Sequence, residues 1–308
     1  MKAVVVTGHD GFIGRQVCQV ASEHGTPVVA IGRRSESADP RAAQPARVVE
    51  EAITVRALER ATDGIEPIAI IHCAGTGTVR RAAESPFTEF ERSVGATATL
   101  LEFARTRLRN TPRVVLTSSA AVYGETSTTP ATESLPCAPI SAYGFHKLMT
   151  EQLCQCYAQQ FHMPITVVRL FSVYGPGLRK QLPWDAMSRL RRGDQHFHCT
   201  GHELRDWLHV RDAAQLLWRA ATREQALWEI LNSSGQRATT GDMLRTLSKS
   251  AGMSEEPTFS GMSQPSNPTN LIGSSARAEQ TLGWRPMITL EEGLSEFVTW
   301  CGRVKAAS

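Results

Sequence analysis

Residues 2–14, KAVVVTGHDGFIG, constrain the chain more than any other stretch. Ala3-Val4-Val5-Val6 is a short apolar, β-branched run, the kind that forms a strand buried on both faces of a parallel sheet. Thr7-Gly8-His9-Asp10-Gly11-Phe12-Ile13-Gly14 follows at once, and residues 15–21 continue at helical spacing. The order is strand, glycine turn, helix. In that order Gly8 suits the tight turn, Gly11 lets the backbone approach a pyrophosphate, and Gly14 lets the helix pack closely on the strand. The free N–H groups and positive dipole end of the new helix favour phosphate. Gly8, Asp10, Gly11, Phe12, Ile13 and Gly14 are therefore the expected cradle of a dinucleotide.

At 308 residues the chain has room for one doubly wound α/β domain and a smaller α/β partner. Its 41% apolar and 20% charged content is ordinary for a globular protein. A net charge of +3 is too small to argue for nucleic acid and is compatible with an anionic small molecule. No apolar run approaches the ~20 residues a membrane span needs, and the N-terminus enters a strand with no signal peptide ahead of it. Cys18, Cys73, Cys137, Cys154, Cys156, Cys199 and Cys301 are scattered and odd in number, which reads as reduced thiols in a cytoplasmic protein.

Further along, residues 27–31 form a second apolar strand that ends in Gly32-Arg33-Arg34. An acidic residue there would accept from the ribose 2′-hydroxyl of NAD, whereas arginine suits a 2′-phosphate, so Arg33 and Arg34 favour NADP(H), with NAD(H) as the alternative. Glu51, after Val48-Val49, is a candidate acceptor for the adenine amino group. Ile68-Ala69-Ile70-Ile71 runs into His72-Cys73-Ala74-Gly75, where small residues let a dinucleotide pass close to the backbone. Residues 87–107 read as one long helix with Phe90, Val94, Leu100, Leu101 and Phe103 as core positions. Val114-Val115-Leu116 is another strand, ending in TSSAAVYG at 117–124; hydroxyls at the carboxyl end of a parallel strand face the ligand crevice. Tyr143 and Lys147 are four apart and share a helix face. An ammonium beside a phenol lowers its pKa from ~10 and fits it for proton exchange near neutral pH.

Taken together, TGHDGFIG (7–14), HCAG (72–75), TSSAAVYG (117–124), YGFHK (143–147), RLFSVYGPG (169–177), RDWLHVRDAA (205–214) and LGWRP (282–286) resemble the extended short-chain dehydrogenase/reductase family of nucleotide-sugar epimerases, dehydratases and reductases. The resemblance covers nearly the whole chain. It implies that Ser119 hydrogen-bonds the reacting sugar oxygen, that Tyr143 is the general acid/base, and that Lys147 holds the nicotinamide ribose and tunes Tyr143. Hydride would pass between the nicotinamide and a sugar carbon, most often C4. It also implies that Arg205 binds the nucleotide diphosphate, that His198 stands where relatives stack an aromatic on the base, and that Gln181 lies where they contact the diphosphate. Ser172 replaces an asparagine common in relatives at a substrate contact. Ala74, Gly75, Tyr143 and Lys147 join the turn as cofactor contacts.

Ala120 and Ala121 stand where the family's 4,6-dehydratases carry an acidic pair, which argues against dehydration. Residues 264–267 lack an arginine that many 4-epimerases carry. The sequence thus favours an NADP(H)-dependent reductase of a nucleotide 4-keto-hexose. A 4-epimerase with bound NAD(P) is the alternative, and a non-catalytic NADP-sensing protein the remote one. His196, His198, Cys199 and His202 lack a second ligand pair, so no metal is expected. The expected division gives residues 1–173 and 210–234 to the dinucleotide and 174–209 with 235–308 to the nucleotide sugar. Residues 87–107 and 142–161 are expected to pair with a second copy in a four-helix homodimer.

Overall fold

The computed structural model describes residues 1–33, 44–75, 78–224, 226–262 and 268–306. Strand β1 (Lys2–Thr7) enters the glycine turn and α1 (Phe12–Glu23), followed by β2 (Val28–Ile31), β3 (Arg47–Val49), α2 (Val55–Thr62) and β4 (Glu66–His72). Then come α3 (Val79–Glu84), α4 (Pro86–Phe90), a π-helical turn at Glu91–Gly95, and α5 (Ala96–Arg107). β5 (Arg113–Ser119) ends in a single 3-10 turn, and α6 (Ala142–Phe161) precedes β6 (Ile165–Leu170). β7 (Ser172–Tyr174), α7 (Gln181–Leu190), β8 (His196–Phe197) and β9 (Leu204–His209) lead to α8 (Val210–Thr222) and β10 (Trp228–Ser233). The chain finishes with β11 (Gln236–Thr239), α9 (Thr240–Ser250), β12 (Thr258–Phe259), β13 (Asn270–Leu271), α10 (Ala276–Leu282) and α11 (Leu290–Ala306).

Seven parallel strands make the main sheet in the order β10-β6-β5-β4-β1-β2-β3, the expected doubly wound arrangement. Side-chain alternation in β1 assigns its two faces. Val4 and Val6 pack with Val17 and Val20 of α1 and with Leu216 and Leu217 of α8. Ala3 and Val5 pack on the opposite side with Leu58 of α2, Leu100 and Leu101 of α5, and Ala158 of α6. Strand order reverses between β1 and β4, so the crevice that such folds use for ligands opens beyond the carboxyl ends of β1, β4 and β5.

The second sheet is built around β9. β11 pairs antiparallel with one edge, while β7 and β13 share the other end to end, against Trp207–His209 and Leu204–Arg205 respectively. Its core includes Tyr174, Met187, Trp207, Leu244 and Phe297. Ala278, Leu282 and Trp284, within the 235–308 segment expected on the smaller domain, instead pack into the α1–α8 face of the main sheet, and the Trp284 indole donates to the Asp212 carbonyl at 3.1 Å.

Residues 87–107 are helical but interrupted. The π turn inserts an extra residue, which rotates α4 by about 100° relative to α5. Leu100, Leu101 and Phe103 are buried as expected, whereas Phe90 is exposed and Val94 only partly covered. Cys154 is buried and Cys156 exposed, on divergent faces of α6, and all seven cysteines are free thiols. Among the described residues, no helix is long and apolar enough to cross a membrane.

Candidate active site

Two glycines in the opening turn cannot be replaced without moving the backbone. Gly8 holds φ +66°, and a Cβ there would lie 2.7 Å from the Ala74 nitrogen. A Cβ on Gly14 would lie 2.2 Å from the Gly8 carbonyl oxygen. The Gly8 N–H donates to Ile31 at 2.8 Å and the Gly11 N–H to Gly8 at 3.0 Å, which tightens the turn. α1 starts with neither a side-chain cap nor an acidic residue in its first turn, so its leading N–H groups face the cavity without an anionic partner from the helix itself. These features fit a dinucleotide diphosphate.

α6 supplies the next two groups. Ser141 caps it, its hydroxyl accepting from the Gly144 N–H at 3.1 Å, and this sets Tyr143 in the first turn and Lys147 in the second. The Ser119 hydroxyl, at the end of β5, lines the same cavity as the Tyr143 phenol and acts on it. The Lys147 ammonium is buried, donates to the Thr117 carbonyl at 2.8 Å, and lies 5.9 Å from the centre of the Tyr143 ring. Burial pushes the Tyr143 phenol up to about 12; the Ser119 hydroxyl pulls it down and the Glu89 carboxylate pushes it further up. From the sequence, Lys147 is expected to bring this phenol below its ordinary value. In the protein burial raises it instead, and Lys147 is not among the groups that shift it. Lys147 is itself lowered, chiefly by burial, with Glu89 the leading charge that opposes the shift.

Behind this pair lies a neutral histidine. His72 bonds Thr7 Oγ1 at 2.6 Å and Thr97 Oγ1 at 3.2 Å, and burial, assisted by Lys147, brings its pKa down to about 3. It joins β1, β4 and α5 beneath the site rather than carrying charge into it.

A single cavity of about 1030 Å³ runs from the glycine turn to β9. It is lined by Gly8, Gly11, Phe12, Ile13, Gly14, Ala74, Gly75, Ser119, Tyr143, Lys147, Ser172, Gln181, His198 and Arg205, which brings most of the expected residues together. Arg205 is buried, and its guanidinium donates to the carbonyls of Leu204, Thr269 and Pro268, which hold it against the cavity wall. Gln181 has φ +67°, a left-handed conformation that a non-glycine side chain adopts at a cost of about 1–3 kcal/mol. Strain of that kind clusters at ligand sites.

Three expected contacts are placed outside the cavity lining. Asp10 is paired with Arg15 at 2.8 Å, Glu51 ion-pairs Arg60, and Arg33 is exposed beyond β2; none lines the cavity. Arg34 and residues 264–267 lie outside the described residues. Trp184 packs against Trp300 at 6.0 Å, as a core residue does. His196 and His198 meet edge to face, and no group of three or more metal-ligating side chains converges among the described residues. Sequence reasoning missed Glu203, which lines the cavity two residues before Arg205 and accepts from the Thr200 and Gly201 N–H groups at 2.8 and 3.1 Å. Glu203 sits just ahead of β9, and nothing in its sequence position marked it. Lys180 also lines the cavity and carried no sequence signal of its own; Trp207, which lies within the RDWLHVRDAA run, lines it too.

Comparison with known proteins agrees with this geometry. The sequence model of the NAD dependent epimerase/dehydratase family matches residues 4–232. A UDP-glucose 4-epimerase of Azospirillum brasilense is 30% identical over an alignment that covers 92% of this chain and 87% of that one. The crystal structure of a UDP-glucose 4-epimerase with UDP-glucose from Thermotoga maritima superposes with a TM-score of 0.89 at 25% identity, over 99% of this chain and all of that one. A UDP-glucuronic acid 4-epimerase from Bacillus cereus, in complex with UDP-glucuronic acid and NAD, gives 0.86 at 25% identity over 99% and 100%.

Proposed function

Because this chain belongs to the NAD dependent epimerase/dehydratase family, within the extended short-chain dehydrogenases/reductases, we propose that it is a nucleotide-sugar 4-epimerase working with a bound nicotinamide dinucleotide. The observation that carries this reading is one cavity lined together by the glycine turn, by Ser119, Tyr143 and Lys147, and by Arg205. A dinucleotide held on the turn supplies a hydride acceptor and donor for the sugar carbon. The chain does the rest. Ser119 hydrogen-bonds the sugar hydroxyl, Tyr143 takes its proton and later returns it, and Lys147 supports the charge that develops on the phenol. Arg205 holds the diphosphate with a guanidinium fork, and Gln181, Ser172 and His198 bound the sugar and base.

We favour the epimerase over the 4-keto-sugar reductase that the two arginines suggested. Epimerases recur among the similar proteins, and the similar structures that name a dinucleotide carry NAD. NAD, named with the Bacillus cereus structure, is thus our first choice, with NADP second. Ala120 and Ala121 offer no carboxylate beside Ser119, so elimination of water lacks its acid and base there. The test is cofactor accounting. Purified protein given UDP-glucose or UDP-glucuronic acid and no reductant should form the C4 epimer with no net change in reduced nicotinamide. Stoichiometric consumption of NADPH on a nucleotide 4-keto-sugar, without interconversion, would replace this reading by the reductase.

We also propose the division of labour given by the sequence, with residues 1–173 and 210–234 on the dinucleotide and 174–209 with 235–308 on the nucleotide sugar, except that Ala278–Trp284 brace the first unit. The proposed partner is a second copy. Phe87 (72% exposed), Phe90, Phe145 (50% exposed) and Met149 offer apolar surface on α4 and α6, the helices expected to form a four-helix interface. The double variant Phe145→Glu/Met149→Glu is expected to convert a dimer to monomer in light scattering while keeping the native circular dichroism. A wild-type protein that elutes as a monomer at micromolar concentration would refute the interface.

A further inference from the structure

Two buried carboxylates flank Lys147, and only one is saturated. Glu151, one turn further along α6, accepts from Arg169 at 2.7 Å and from the Ser118 hydroxyl. Glu89, on α4, is 2% exposed, yet neither carboxyl oxygen has a hydrogen-bond partner among the described residues. Its backbone is fixed instead: the Ser93 hydroxyl, in the π turn, donates to the Glu89 carbonyl at 2.6 Å. A buried carboxylate without hydrogen bonds is costly and rare, so it calls for an explanation.

The groups around it supply one. α4 packs against α3, the π turn and α6. From α3 Arg81 acts on Glu89, from the π turn Arg92, from the segment ahead of α7 Lys180, and from α6 Lys147 and Tyr143. His146 also stands on α6, its ring edge-on to Phe90 at 5.9 Å, and burial lowers its pKa. Lys147 is faced in turn by Cys73, Glu151 and Cys154, and it acts on neutral His72. Among these, Glu151 is locked in its ion pair and the buried thiols Cys73 and Cys154 are held protonated. Of the two carboxyls beside the pair, Glu89 is the one without a hydrogen-bond partner among the described residues.

We propose that Glu89 is a positioning residue for the Tyr143–Lys147 pair, a buried carboxyl whose gain or loss of a proton sets how readily the Tyr143 phenol ionises. The proposal rests on the reading of Tyr143 as acid/base and deepens it. Burial pushes the Glu89 carboxyl up to about 7, against the pull of Lys147, Arg92, Lys180 and Arg81, so the switch falls in the working range. The sign is set by charge. Ionised Glu89 repels phenolate and raises the Tyr143 pKa; protonated Glu89 releases it. The carboxyl thus holds the phenol protonated above neutrality and eases its ionisation below.

The experiment uses protein labelled with ¹³C at the tyrosine ζ carbon, which gives four signals for Tyr123, Tyr143, Tyr157 and Tyr174. Tyr143→Phe assigns one of them. Wild type should show a step in the Tyr143 signal near neutral pH, absent from Glu89→Gln and restored, at a shifted midpoint, in Glu89→Asp. Glu89→Gln should also move the onset of Tyr143 ionisation down by about one pH unit and displace the pH profile of turnover the same way. A Tyr143 signal flat through neutrality in the folded wild type overturns the proposal, whether or not the variants fold. A step that persists in folded Glu89→Gln overturns it as well. Because the signal is read without substrate, a step in a protein that turns over no sugar leaves this coupling standing and removes the epimerase reading instead.

Discussion

Replacing Tyr143 by Phe is expected to lower turnover of the nucleotide sugar about a thousandfold, the middle of the range for loss of a general acid/base, while dinucleotide and nucleotide-sugar binding persist. The substitution removes one oxygen and leaves the ring. Lys147 keeps its hydrogen bond to the Thr117 carbonyl, because that bond involves no phenol. Ser119 keeps its backbone bond, its hydroxyl accepting from the Ala121 N–H at 3.2 Å. Lost is the group that takes the sugar's proton. Single-turnover kinetics, with binding followed by intrinsic fluorescence, separate the two effects. A fall in KM-determined affinity with kcat unchanged would assign Tyr143 to binding alone, and unchanged turnover would end the mechanism.

How much of the site is legible in the sequence depends on how local each cause is. Gly8 and Gly14 are legible because their neighbours in sequence are their neighbours in space: the Gly14 Cβ would strike Gly8 itself. Tyr143 and Lys147 are legible because one helical turn fixes their spacing whatever surrounds it. The phenol's pKa is not, since burial is a property of the assembled site. The Glu51 partner is not legible either: Arg60 is brought to it by the packing of α2 beside β3, not by the residues next to it. The π turn moves Phe90 off the core stripe, and no periodicity count anticipates an inserted residue. Strands of two or three residues such as β7 and β13 carry no pattern at all; they exist because β9 offers them an edge. Glu89 looks in the sequence like any solvated helix carboxylate, and only the burial of α4 against α6 makes it otherwise.

The second large effect belongs to the pair behind the site. Glu151→Ala is expected to reduce unfolding free energy by about 3–5 kcal/mol, the cost of leaving one member of a buried ion pair unpaired. Both side chains are 4% exposed. Arg169 reaches Glu151 through Nη2 at 2.7 Å and Nε at 3.1 Å, donates to the Tyr123 hydroxyl at 2.8 Å, and stacks over that ring at 4.8 Å. Burial disfavours its charge, but the hydrogen bonds and charge of Glu151 more than offset this and raise its pKa. Tyr123 continues the network to Asn232 at 2.8 Å, joining β6, α6 and β10. Remove the carboxylate and an arginine remains in the core with no anion to balance it. The double variant Glu151→Leu/Arg169→Met should therefore cost less than either single change, which a urea-denaturation cycle measures directly. If Glu151→Ala costs under about 1 kcal/mol, the pair behaves as an exposed one does and its burial carries no weight. Because Glu151 lies one turn from Lys147 on α6 and holds Ser118 next to Ser119, the same substitution should also depress kcat in the fraction that folds. That coupling ties the stability of the network to the alignment of the three groups it backs.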